Sequence, residues 1–309
     1  MTEKQRYPLE GIVVSLNTPF DEQDRVDFRS VGRLVERHLA AGAVGFLVPA
    51  HAGEVYELTL AERIDLIRCV RELTRGRAEL IAGTTARDER ESLQVAEAAI
   101  ATGCQGVLVE VPESRKRERL AINEFLASFS ALQAPMLMIQ DLDFNGFGLE
   151  VEVIADLFER IEQFRCLKVE VSPAGPKCSA VLEATAGRLH VSGGWASLQL
   201  IEALDRGVPA FMPTAMTGLF TQAMKAYRRG DRDEAKRWFH RMLPVLAFTR
   251  QHLDTSIHFH KRLFHQRGIF RTARVRKRTI PYDAWHERYG DELIAYLNGV
   301  EPEAMTRAE

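Results

Sequence analysis

Along most of the chain, short β-branched and apolar runs alternate with segments in which apolar residues recur every three or four positions. The runs are GIVVSLNTPF (11–20), AVGFLVPA (43–50), AELIAGTT (78–85), CQGVLVEVP (104–112), PMLMIQD (135–141), RCLKVEV (165–171), RLHVSGG (188–194) and VPAFMPT (208–214). Each reads as a buried strand, and the periodic stretches that follow read as amphipathic helices. DFRSVGRLVERHLAAG (27–42), ERESLQVAEAAIATG (89–103) and LEVEVIADLFERIEQ (149–163) are examples. Thr59 and Glu62 stand where a capping box would open the second helix. Gly42, Gly103, Gly187 and Gly207 sit at predicted helix ends, where a left-handed residue stops the turn. Parallel strands need helical crossovers, and about eight strand–helix units point to a closed (β/α)8 barrel, an α/β TIM-barrel fold. An open doubly wound sheet fits less well, since no GxGxxG follows the first strand. From residue 231 the alternation stops. The predicted organisation is a barrel over 1–230 and a helical C-terminal region over 231–309.

Composition narrows the function classes. Of 309 residues, 46% are hydrophobic and 27% charged, the balance of an ordinary globular chain. Lys and Arg number 41 against 43 Asp and Glu, a net charge near −2, which argues against a nucleic-acid or membrane-surface partner. The opening MTEKQRYPLEG has no apolar run, so no secretory leader is expected, and no long apolar stretch predicts a membrane span. Cys69, Cys104, Cys166 and Cys178 are scattered without a CxxC pair, which fits reduced core thiols, a cytoplasmic setting and no zinc site. No cofactor is implied.

In a barrel, the chemistry gathers where strands end. That rule collects Ser15, Asn17 and Thr18, then His51, Gly53 and Glu54, then Thr84 and Thr85, Glu110 and Glu113, Gln140 and Asp141, Lys168 and Glu170, Ser192 to Gly194, and Thr214. Lys168 is the one lysine among them. An ammonium among Leu167 and Val169 loses hydration, so it either pairs with Glu170 or Glu110 or serves as a neutral amine that attacks a ketone to form an imine.

The TPF of the first run, the AGEVYELTLAER segment after the second, AGTT, the lysine of the sixth and SGG of the seventh carry a resemblance. The chain resembles the dihydrodipicolinate synthase / N-acetylneuraminate lyase family of pyruvate-type class I aldolases over nearly its whole length. The resemblance implies that Lys168 forms a Schiff base with a 2-oxo acid. It implies that Ala52, Gly53 and Glu54 belong to a loop that binds the oxo-acid carboxylate, and that Gly193 lines the pocket. It also implies a homo-oligomer, a dimer or tetramer. The departures matter as much. His51 and Ala52 replace the family's hydroxyl pair, and Gln140 and Asp141 replace a Tyr–Asn pair whose tyrosine relays protons. Asn145 replaces a carboxylate-reading arginine, and Glu113 and Ser114 replace tyrosines that cross between subunits.

These losses argue against dihydrodipicolinate synthase proper and an ordinary sialic-acid lyase. One reading is a Schiff-base lyase, aldolase or dehydratase in which His51 and Asp141 assist and Gln140 contacts the substrate. The other is a protein that binds a small oxo acid or sugar acid without turnover. His258, His260 and His265 invite a metal reading, but His258 and His260 would point to different faces of a helix, so no metal is expected there. The basic run RTARVRKR (271–278) is expected as a solvated face or a subunit contact.

Overall fold

A computed structural model describes residues 4–194, 198–277 and 279–306. Its strands are β1 (Gly11–Ser15), β2 (Ala43–Val48), β3 (Glu79–Gly83), β4 (Gly106–Glu110), β5 (Leu137–Asp143), β6 (Phe164–Val171), β7 (His190–Gly193) and β8 (Ala210–Phe211). They form a closed parallel barrel in sequence order, as the alternation predicts. The helices between them are α1 (Phe28–Ala40), α2 (Leu60–Thr74), α3 (Glu89–Ala101), α4 (Arg119–Ala131), α5 (Val151–Arg160), α6 (Ala174–Ala184) and α7 (Leu200–Asp205). After β8 come α8 (Thr217–Arg228), α9 (Arg232–His240), α10 (Leu243–Thr249), α11 (Leu253–Gln266) and α12 (Ala284–Thr306).

Local signals act as expected. Thr59 accepts from the Glu62 N–H at 3.2 Å while Glu62 accepts from the Thr59 N–H at 2.9 Å, closing the capping box. The first predicted strand runs only to Ser15, because Pro19 and the side-chain bonding of Asn17 and Thr18 turn 16–20 into a loop. Its eighth counterpart, between Pro209 and Pro213, shrinks to two residues.

The chain groups into two compact units: residues up to Gly11 with Leu80–Met212, and Ile12–Glu79 with the chain from Pro213 onward. The first carries β4–β8 and β3 from Leu80 onward, and packs Leu80, Ile81, Val107, Met138, Leu167 and Val191 fully out of solvent. The second buries Val35, Phe46, Ile67, Phe220 and Phe259 in the same way. Each therefore has an apolar core of its own.

Candidate active site

In the first unit, register brings the chemistry together. Glu110 pairs with Gln140, Gln140 with Lys168, and Lys168 with Ser192, so one row of side chains crosses β4 to β7 on a common face. Glu170, two residues beyond Lys168, shares that face. Its Oε2 lies 3.2 Å from the Lys168 ammonium and accepts a hydrogen bond from Gln140 Nε2. The side chains of Lys168 and Glu170 are only 6% and 8% exposed, so the pair sits largely out of water. Among the described residues, the Glu170 carboxylate is the one partner of the Lys168 amine.

Glycine makes room for this carboxylate. A Cβ on Gly194 would run into Glu170 Cγ. Gly193, expected to line the pocket, is in register with Val169, and its added Cβ would meet the Phe211 ring at 2.6 Å. The alternation of the strand thus gives the place beside Glu170 to Gly194, one residue later.

The same alternation removes Asp141 from Lys168. Asp141 pairs in register with Val169, so its carboxylate leaves β5 on the opposite face from Gln140. There it lies 3.2 Å from the ammonium of Lys177 on α6, with both side chains fully buried, and it accepts the Leu149 N–H at 2.8 Å. Lys177 also donates to the carbonyls of Phe147 (2.7 Å) and Leu149, and stands 4.9 Å from the Phe147 ring centre. Asp141 is committed to shaping the loop after β5, not to the amine of Lys168.

The second unit holds the loop that follows β2. Ala50 leads into a single 3-10 turn, His51–Gly53, closed by the Gly53 N–H on the Ala50 carbonyl (2.8 Å) and the Glu54 N–H on that of His51 (3.0 Å). Asn17 donates to the Ala52 carbonyl, and the Thr18 hydroxyl donates to that of Gly53 at 2.8 Å. A Cβ on Gly53 would stand 2.6 Å from the Leu16 carbonyl oxygen, so no larger residue fits without moving backbone. Glu54 then adopts φ 59°, a left-handed conformation that is unusual for its residue type.

Glu54 does not reach outward for an anion. Its carboxylate pairs with Lys261 of α11, which is fully buried, and accepts the Arg276 N–H at 2.9 Å. Phe20 lies beneath both cations, 4.0 Å from Lys261 Nζ and 4.1 Å from the Arg276 guanidinium carbon. Burial pulls the Lys261 ammonium down to about 8, with Glu54 opposing the shift. The Gly53 and Glu54 amides are used inside the turn, beside the half-buried His51 ring. That ring leans on Tyr56 with centroids 5.5 Å apart.

The remaining candidates are tied to local structure. The Thr84 hydroxyl donates to the Leu108 carbonyl at 2.9 Å, Glu113 pairs with Lys116 at 3.0 Å, and Ser192 lies 3.3 Å from His190. His258 stacks on Tyr282, His260 bonds Ser256 and His265 lies 3.2 Å from the Phe270 carbonyl, so the three diverge. Among the described residues no group of three or more metal-ligating side chains stands together.

Arg271, Arg274 and Lys277 of the basic run are exposed, as expected of a solvated face, while Arg276 is largely covered. Arg271 pairs with Glu22, Arg276 with Glu62 (2.6 Å), and Lys277 lies near Glu57, so the run's charges meet acidic groups of this unit's own early segment. Arg278 falls outside the described residues. Lys177 and Lys261 escaped the sequence reading, although each interrupts an otherwise apolar stripe, between Gly175 and Val181 and between Ile257 and Phe264.

An eight-stranded βα barrel of this kind is a scaffold of lyases and aldolases. The particular lineage is equally plain: the chain belongs to the dihydrodipicolinate synthetase family, whose model matches residues 8–297. It is 28% identical over 237 residues, 76% of this chain and 77% of the relative, to a 4-hydroxy-tetrahydrodipicolinate synthase of Synechococcus sp. (strain JA-2-3B'a(2-13)). In fold it matches a structure of 4-hydroxy-tetrahydrodipicolinate synthase from Methylacidiphilum fumariolicum SolV, with a TM-score of 0.86, 17% identity, and coverage of 97% of this chain and 98% of that one. Dihydrodipicolinate synthase from Rhodopseudomonas palustris matches with a TM-score of 0.86, 19% identity, and coverage of 96% and 100%. No helix among the described residues is long and apolar enough to cross a membrane.

Proposed function

We propose that this protein is a Schiff-base-forming lyase or aldolase that acts on a 2-oxo acid, by a reaction other than that of dihydrodipicolinate synthase. The observation that carries it is the Lys168 amine, withdrawn from water on β6 with one carboxylate 3.2 Å away. A buried carboxylate can take the ammonium proton and leave a neutral amine. The amine attacks C2 of the oxo acid, water leaves, and the protonated imine draws electrons from the bond beyond C3 when that bond breaks.

The difference from dihydrodipicolinate synthase rests on Gln140. It stands in register with Lys168, and its amide cannot act as a general acid or base as a tyrosine hydroxyl can. Asn145 likewise supplies no cation for a second carboxylate. We propose a small oxo acid as the partner and a second copy of the chain as the setting in which it works.

Borohydride reduction in the presence of pyruvate or a panel of larger 2-oxo acids, followed by intact mass measurement, tests the reading. The expected result is one adduct per chain that is absent from Lys168→Ala. An adduct that survives that substitution, or none across the panel, overturns it.

A further inference from the structure

The catalytic scheme needs a group that moves protons to and from the carbon next to the imine. Gln140 cannot be that group, and Asp141 lies on the other face of β5. We propose that Glu170 is the proton carrier of this site, a role that rests on the Schiff-base reading of Lys168.

Four observations converge on it. Glu170 shares the face of β6 with Lys168, and its Oε2 stands 3.2 Å from the nitrogen that would become the imine. The carbon to be protonated is two bonds from that nitrogen, so the same oxygen is within reach of it. Gln140 donates to that oxygen, which fixes the carboxylate in place, so the residue that lost the proton relay now aims its successor. Gly194 leaves the space that Glu170 Cγ occupies, space that any Cβ would fill. Burial completes the arrangement: at 8% exposure the carboxylate is largely withdrawn from competing hydrogen bonds with water, yet open enough to renew its proton from solvent between turnovers.

In the cleavage direction, Glu170 accepts the proton of the C4 hydroxyl as the C3–C4 bond breaks. The bond pair forms the C2–C3 double bond of an enamine, the C=N pair returns to nitrogen, and an aldehyde leaves. The protonated Glu170 then delivers its proton to C3, which regenerates the imine for hydrolysis. With pyruvate alone, the same group removes a C3 proton and returns one from solvent, so methyl hydrogens exchange.

That exchange is the readout. Pyruvate in D2O with wild-type protein should lose its methyl proton signal in NMR spectra. Glu170→Gln also lacks the acceptor for the Lys168 proton, so it should form the borohydride adduct more slowly but to the same final extent. At saturating pyruvate it should exchange at least about 10²-fold more slowly than wild type, the usual lower bound for losing a general acid–base group. The exchange rate of wild type should follow a carboxyl titration with pH, and that dependence should vanish in Glu170→Gln. Glu170→Ala with added formate should recover part of the rate, which a merely structural carboxylate would not allow. If Glu170→Gln traps pyruvate and exchanges at the wild-type rate, the proton role of Glu170 is wrong while Lys168 keeps its own. If wild type traps neither pyruvate nor any other 2-oxo acid, both fall together. Should Glu170→Gln fail to fold, formate rescue of Glu170→Ala and the wild-type pH profile decide the matter, and a flat profile overturns the proposal.

Discussion

Two buried lysine–carboxylate pairs lie on opposite faces of the same pair of strands and differ in how fully they are used. Lys177 meets Asp141, two backbone carbonyls and the face of Phe147, so every direction its ammonium can donate is taken. Lys168 meets Glu170, and among the described residues nothing else. A saturated ammonium is a staple, because removing any partner strands a charge out of water. The ammonium with one partner, Lys168, is the one we propose as the nucleophile. The two lysines have the same charge and similar burial; what differs between them is the number of partners.

The sharpest way to break this contrast is at Lys168. Lys168→Ala should remove the borohydride adduct completely, while Lys177→Ala, if soluble, should retain it; intact mass measurement distinguishes the two. Loss of the adduct in both would mean that the faces are not independent.

The next largest effect comes with acid, from groups that have no charged partner. Burial holds the His38 imidazole down to about 3 and those of His190 and His260 down to about 4. Their folded values lie below the unfolded one near 6.5, so the unfolded chain binds more protons as pH falls through 6.5 toward 4. Stability contributed by these neutral rings is fully present above about 6.5. It should fall by about 4 kcal/mol per pH unit once all three are protonated in the unfolded chain. Urea unfolding across that window measures the slope, and His190→Gln should lower it by roughly a third.

Third comes the staple itself. Asp141→Ala should cost about 3–5 kcal/mol in urea unfolding, because Lys177 loses its counter-charge at a site with no water to replace it. Glu113→Ala should fall within about 0.5 kcal/mol by the same assay, since that carboxylate is mostly exposed. Between those two lies the change expected at the loop after β2. Gly53→Ala should cost about 1–3 kcal/mol and raise KM for a 2-oxo acid, with the Lys168 adduct still formed, since its Cβ would press on the Leu16 carbonyl.

How much of this was legible in the sequence follows the range over which each signal acts. The barrel was legible because strand and helix periods are local, and Lys168 because a cation inside RCLKVEV contradicts its neighbours. The pairing of Lys168 with Glu170 was also within reach, as the two are separated by one residue of a strand. Asp141, expected to assist Lys168, leaves β5 on the face opposite Gln140, because a strand alternates at every residue. The β5–β6 register also shifts between Leu137 and Met138, which no pattern in either strand announces. Glu54 was read as a ligand for substrate because its true partners, Lys261 and Arg276, lie at the far end of the chain. The basic run shows the same limit: its charges are visible in sequence, but Glu22, Glu57 and Glu62 opposite them are visible only once the chain has folded.

The hydrogen bond from Arg276 to Glu54 spans 222 positions of the chain. During synthesis, the turn after β2 leaves the ribosome early, yet its glutamate must wait for Arg276 before its final bond can form. A protein shortened before residue 270 would still contain Lys168 and every barrel strand, but Glu54 would keep a left-handed backbone with its closing contact missing. The stretch around Arg276 is thus a finishing tool for a segment made more than two hundred residues earlier.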